Sequence, residues 1–134
     1  MNLRNDKKIK IFLVDDDELT VKLTRFHLRL HGYEDVSTYS NGLSCLNNLI
    51  YKPQVIFLDK HMDDMAGLDV LKKIKEIDSS IFVAIFSGDD NPLVIEEFKK
   101  HGANEYIVKG LDAMKKIEDI LQNFLIPARE EKNA

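Results

Sequence analysis

The chain of 134 residues has one cysteine, three prolines, six glycines and no tryptophan. With Cys45 alone, no internal disulfide can form, which fits a reducing compartment. In a helical pattern a lone cysteine reads as a small core residue. No apolar run approaches the length of a membrane span, and Ile11 to Val14 is too short even for a signal-peptide core. Basic charge is also scarce: 19 Lys and Arg face 23 Asp and Glu, for a formal net charge of −4. A chain of that balance offers no field for a nucleic-acid backbone, and the Lys7, Lys8, Lys10 cluster is too small to change this. The reading is a soluble, cytoplasmic protein with no direct nucleic-acid or membrane contact. At this length, one domain with a single core is expected.

What is present is an alternation of short apolar runs with segments of helical period. The runs are Ile9 to Val14, Asp35 to Tyr39, Val55 to Leu58, Ile81 to Phe86 and Tyr106 to Val108. Four are nearly solid Val, Ile, Leu, Phe and Ala, as strands buried on both faces should be. The second alternates and belongs at an edge. Leu19, Leu23, Phe26 and Leu30 mark a first helix ending at His31-Gly32. Leu43, Leu46 and Leu49/Ile50 mark a second, closed off before Pro53, and Leu68, Leu71 and Ile74 a third after Gly67. Asn91-Pro92 opens a fourth through Val94, Ile95 and Phe98, and Met114, Ile117, Leu121 and Phe124 stripe a fifth. The expected fold is α/β: a doubly wound, five-stranded parallel sheet in the order 2-1-3-4-5, flanked by five helices. Residues 1–126 make the domain, and 127–134 a polar tail or the start of a linker.

Four of the apolar runs end in polar residues that would gather at one sheet edge: Asp15-Asp16-Asp17, Asp59, Ser87 and Lys109. In open α/β sheets the ligand sits outside the carboxyl ends of the strands. Converging carboxylates repel unless a cation joins them, and oxygen-only ligands suit a hard divalent ion such as Mg²⁺. An ammonium beside them can neutralise an incoming phosphoryl oxygen. Taken singly, the acidic triplet reads equally as a solvated turn before a helix, Lys109 as a surface lysine and Ser87 as a turn hydroxyl. The agreement of all four strand ends favours a site for a cation and a phosphoryl group.

This constellation resembles the receiver domain of two-component response regulators, from Lys8 through Phe124. Val14-Asp15-Asp16-Asp17 resembles the acidic first-strand signature, with the Mg²⁺ pair at Asp15 and Asp16. Leu58-Asp59 matches the phosphoacceptor, with Met62 and Gly67 at the matching later positions. Ser87 matches the fourth-strand hydroxyl, Tyr106 the aromatic switch and Lys109 the family lysine. The resemblance implies that Asp59 takes a phosphoryl group from a phosphohistidine of a sensor histidine kinase or histidine phosphotransfer protein. Asp15, Asp16, Asp59 and the backbone carbonyl of His61 would hold Mg²⁺. Ser87 and Tyr106 would then switch a protein-interaction face on the fourth helix, fifth strand and fifth helix, read by a downstream protein or a fused output domain.

Such a switch phosphorylates and dephosphorylates itself but turns over no external substrate, as a monomer or a phosphorylation-dependent homodimer. By the same resemblance, His61 and Asp89 occupy positions that tune acyl-phosphate hydrolysis. The departures are Gly110 where proline usually follows the lysine, Asp63 in place of a proline, Ala66 in place of an acid and Gln54 in place of an Asp. Gly110 predicts a different loop after the lysine, and with Asp63 it keeps open a degenerate receiver that acts as a phosphorylation-independent interaction module.

Two rivals fare worse. A flavodoxin-like phosphate binder would find Asp15-Asp16-Asp17-Glu18 repelling its ligand, and an aspartyl-nucleophile phosphatase would want an acid where His61 stands. His27 and His31, four apart on the first helix, have a spacing that can bind zinc. No third ligand stands at a recognisable spacing, so they are expected to decorate the face near the kinase-docking surface.

Overall fold

In the computed structural model, residues 8–133 are described, with side chains through residue 124. The elements run β1 (Ile11–Val14), α1 (Glu18–Leu30), β2 (Val36–Tyr39), α2 (Gly42–Asn47), a 3-10 turn (Leu49–Tyr51), β3 (Val55–Leu58), α3 (Gly67–Ile77), β4 (Phe82–Ser87), α4 (Pro92–Lys100), β5 (Glu105–Val108) and α5 (Ala113–Asn133). All strands are parallel, in the order β2-β1-β3-β4-β5. β1 and β3 pair with Val14 opposite Leu58, so the residues that follow them, Asp15 and Asp59, leave the sheet side by side.

The sheet separates two apolar layers, as alternate side chains of each strand point to opposite faces. Phe12, Val14, Ile56, Leu58, Val83 and Ile85 pack toward α2, α3 and α4, with Cys45, Leu71, Ile74 and Phe98. Ile11, Leu13, Val55, Phe57, Ala84 and Ile107 pack toward α1 and α5, with Leu28, Ile117 and Leu121. β1 and β3 are buried at every residue, whereas β2 is half-buried beyond Val36, as its place at the edge dictates.

Two helices differ locally from the sequence pattern. The Leu19, Leu23, Phe26, Leu30 stripe forms the first helix but faces solvent, at 64%, 58%, 60% and 67% exposure. The core contacts of α1 come instead from Thr24 and Leu28. Asp17 caps this helix, its side chain accepting from the Leu19 N–H and fixing where the first turn begins. The second helix is cut to six residues and finished by the 3-10 turn, with Leu43 and Ile50 exposed. Lys52 closes it at φ 57°, in the left-handed region. α5 continues in backbone past residue 126 and through Pro127 to Asn133. Among the described residues no helix is long and apolar enough to cross a membrane.

Cys45 is fully buried, and burial pushes its thiol from the ordinary 9.0 up to about 12. The reactive species is the thiolate. In native buffer near pH 8, a thiol-specific reagent should therefore modify Cys45 on the order of a thousandfold more slowly than in denaturant. Equal rates in the two conditions would contradict the placement of Cys45 in the core.

Candidate functional site

The site lies at the carboxyl ends of β1, β3, β4 and β5. Carboxylate oxygens of Asp15, Asp16 and Asp59 all lie within 4.8 Å of one another. Asp15 is 6% exposed, and its Oδ1 accepts from the Asp17 N–H at 2.9 Å. That bond turns the acidic triplet back on itself, so Asp15 points inward, Asp16 is exposed beside it, and Asp17 caps α1. Lys109 reaches over from the end of β5, donating from Nζ to Asp15 Oδ2 at 2.9 Å and lying 3.6 Å from Asp59 Oδ1. The ammonium also sits 5.4 Å from the centre of the Phe86 ring.

One ammonium does not balance three carboxylates. Burial raises the pKa of Asp59, and the charge of Asp15 raises it further, with Lys109 opposing both. Burial pulls Lys109 down, but its hydrogen bond to Asp15 and the charges of Asp59 and Asp15 outweigh that, leaving it raised. The donor set of three convergent carboxylates suits Mg²⁺, and the unrelieved repulsion at Asp59 is what a hard divalent ion would cancel. The Mg²⁺ expectation therefore fits these residues.

The loop after β3 is shaped by Gly67. A Cβ there would come within 2.5 Å of the Asp59 carbonyl oxygen and 2.7 Å of the Lys60 carbonyl oxygen, too close to be accommodated without moving the backbone. Gly67 N–H instead donates to Lys60 O at 2.8 Å, and His61 bridges to Ala66. The backbone beside Asp59 is thus held by the start of α3, while the His61 side chain is exposed.

Ser87 is 4% exposed, and its Oγ accepts from the Asp89 N–H at 3.1 Å. Tyr106 donates its hydroxyl to the Asp89 carbonyl at 2.7 Å and packs edge-on against Phe98 of α4. Ser87, Asp89 and Tyr106 therefore form one hydrogen-bonded chain from the site edge to α4. The Lys109–Gly110 bond is trans, and the Lys109 N–H donates to Ser87 O at 2.8 Å.

Two contacts beside the site escaped the sequence reading. Lys60, directly after Asp59, forms an ion pair with Asp89; their hydrogen bond raises Lys60 and lowers Asp89 from their ordinary pKa values. It straps the β3–α3 loop to the β4–α4 loop across the mouth of the site. Asp64 accepts from the Gly42 and Leu43 N–H groups, both at 2.9 Å, and so ties the same loop to the start of α2. Neither has a local signal, because each partner lies more than 20 positions away in sequence.

Comparison with known proteins agrees with this geometry. The family model described as response regulator receiver domain matches residues 11–122. The chain is 30% identical over 117 residues to sporulation initiation phosphotransferase F of Bacillus subtilis, covering 87% of this chain and 93% of that one. It is 33% identical over 107 residues to transcriptional regulatory protein ZraR of Klebsiella oxytoca, covering 79% of this chain but only 24% of that protein. Among solved structures, the signal receiver domain of a LuxO repressor protein from Vibrio parahaemolyticus superposes with a TM-score of 0.81 at 23% identity, covering 93% and 95% of the two chains. A CheX-CheY-BeF3-Mg complex from Borrelia burgdorferi gives 0.78 at 25% identity, covering 87% and 89%.

The crowding of Asp59 has a measurable cost. A carboxylate whose pKa is raised by folding destabilises the fold when ionised, above the folded pKa, and not below its unfolded value. In Mg²⁺-free buffer at neutral pH, Asp59→Asn should raise stability by about 1 kcal/mol, or about 4 °C in Tm. The gain should disappear as pH falls through the carboxylate range, and should shrink when Mg²⁺ is added to both proteins. A destabilised Asn variant in calorimetry would contradict the electrostatic account.

Proposed function

Because the chain belongs to the response regulator receiver domain family, we propose that Asp59 accepts a phosphoryl group from a phosphohistidine on a sensor histidine kinase or histidine phosphotransfer protein. The observation that carries this is the meeting of Asp59 with two further carboxylates and the Lys109 ammonium in one pocket. An Asp59 carboxylate oxygen attacks phosphorus, the O–P bond forms as the P–N bond breaks, and the electron pair leaves on the imidazole nitrogen. The work of the site is positioning and charge neutralisation. Asp15, Asp16, Asp59 and the His61 carbonyl would hold Mg²⁺, which would supply the positive charge that offsets the acceptor carboxylate and the incoming phosphoryl group. Lys109 exchanges its contact with Asp59 for one with the transferred group.

A phosphoryl group at Asp59 adds about −1.5 to −2 charges and three acceptor oxygens. Ser87 Oγ then turns from the Asp89 N–H toward it, and the Tyr106 ring gives up Asp89 O to fill the vacated space. The α4–β5–α5 face changes with that ring, for a downstream protein or a fused output domain to read. Lys60–Asp89 opposes the opening of the mouth, so it and the exposed His61 are the residues proposed to set the acyl-phosphate lifetime. Residues 1–126 act as the receiver unit, in the cytoplasm, where the phosphodonor is.

The outward stripe of α1 supplies the docking face. Leu19, Leu23, Phe26 and Leu30 are joined near the site by Leu111, fully exposed in the β5–α5 loop. Leu23 of this stripe also lines a groove of about 170 Å³ with Thr20, Lys109, Gly110 and Met114. An apolar helix face of a phosphohistidine donor fits such a stripe beside an open acceptor. Phe26→Glu should slow transfer from a phosphorylated histidine donor at least about tenfold, as loss of an interface aromatic does, and leave labelling by acetyl phosphate unchanged. Equal loss with both donors would place the defect in the pocket instead.

Mass spectrometry after incubation with acetyl phosphate and Mg²⁺ tests the acceptor. One added phosphoryl group is expected, absent without Mg²⁺ and absent in Asp59→Asn. No added mass in the unaltered chain, or equal labelling of the variant, would favour a degenerate receiver acting through interaction alone.

A further inference from the structure

On the side of the molecule formed by α1 and α5, away from the acidic pocket, His27, His31 and Glu118 bring two imidazoles and a carboxylate together, with ligand atoms within 4.8 Å of one another. We infer that this cluster is a binding site for an imidazole-preferring divalent metal ion such as Zn²⁺, which pins α1 to α5. It is independent of the phosphoacceptor reading.

Three observations carry it. His27 and His31 stand one turn apart on α1, so their rings lie on the same face, with centroids 4.4 Å apart. Both Nε2 atoms converge on the same oxygen of Glu118 Oε2, at 3.3 Å from His27 and 3.2 Å from His31. Those separations exceed the ~2.7–2.9 Å of a charge-assisted hydrogen bond. They are also compatible with the edge of a tetrahedron of ligands around Zn²⁺, about 3.3 Å for metal–ligand bonds of about 2.0–2.1 Å.

Second, the tautomer of His31 is fixed. Its Nδ1 lies 2.9 Å from the His27 carbonyl oxygen, which can only accept, so Nδ1 carries the proton. Nε2 therefore faces the Glu118 carboxylate oxygen, a contact that is satisfied either by a proton on Nε2 or by a metal ion held between the two. An N–H donated to a backbone carbonyl is also how metal-ligating histidines are commonly oriented. Third, His31 is the C-cap of α1, where the carbonyl end of the helix favours positive charge. All three side chains are partly exposed, at 25%, 37% and 23%, which leaves room for water as a fourth ligand.

His101 provides an internal comparison. It caps α4 in the same way, with Nδ1 2.9 Å from Glu97 O and glycine following, but belongs to no such cluster among the described residues. Isothermal titration of the full chain with ZnCl₂, in excess Mg²⁺ to occupy the acidic pocket, should show one saturable site. His31→Gln and Glu118→Gln should each weaken it at least about tenfold, and His101→Gln should not. Long-range ¹H–¹⁵N spectra should show the Nε2 resonances of His27 and His31 moving together on addition of one equivalent, and metal-free melts of the variants should stay cooperative. No saturable Zn²⁺ binding, or binding undiminished in both His31→Gln and Glu118→Gln, would overturn the proposal and leave the cluster a protonated ion pair.

Discussion

Like charge held at close quarters is the constraint on which this molecule depends. The parallel pairing of β1 with β3 obliges Asp15 and Asp59 to leave the sheet as neighbours, and Asp16 follows the first of them into the same space. Among the described residues, the ammonium in ion-pair contact with these three carboxylates is that of Lys109. The hydrophobic layers on either face of the sheet hold that arrangement in place: β1 and β3 are buried throughout, so their ends cannot splay to relieve the repulsion. Burial thus supplies the rigidity that keeps an electrostatically unfavourable site poised for a cation and an anion.

The same rigidity connects the pocket to the surface. Ser87 ends a buried strand, its hydroxyl holds the Asp89 backbone, and Asp89 in turn accepts from Tyr106, which packs on Phe98 of α4. These three consecutive contacts connect the end of β4, beside the acidic pocket, to a helix face. Lys60 and Asp64 add restraint from the other side by tying the loop after Asp59 to its neighbours. In this chain the loop is braced by an ion pair and by capping of the α2 N–H groups.

Much of this was legible in the residues. Solid apolar runs ending in Asp, Asp, Ser and Lys fixed the sheet, its strand order and the acidic pocket, because strand period and crossover handedness leave few alternatives. The outward rotation of α1 was not legible: Leu19, Leu23, Phe26 and Leu30 have the spacing of a core stripe, and only the Asp17 cap and the burial of Thr24 and Leu28 reveal that they face solvent. Periodicity gives a helix its face but not the direction in which that face points. Contacts between distant segments were equally hidden. Glu118 meets His27 across 91 positions, and Lys60 meets Asp89 across 29, so no local motif announces either.

The most direct measurement is a crystal structure grown with Mg²⁺ and beryllofluoride, a stand-in for the phosphoryl group. The metal is expected among Asp15, Asp16, Asp59 and the His61 carbonyl, with beryllium on an Asp59 oxygen and Lys109 Nζ on a fluoride. Density for the two groups in separate places, or Lys109 turned away from the anion while still paired with Asp15, would contradict this arrangement.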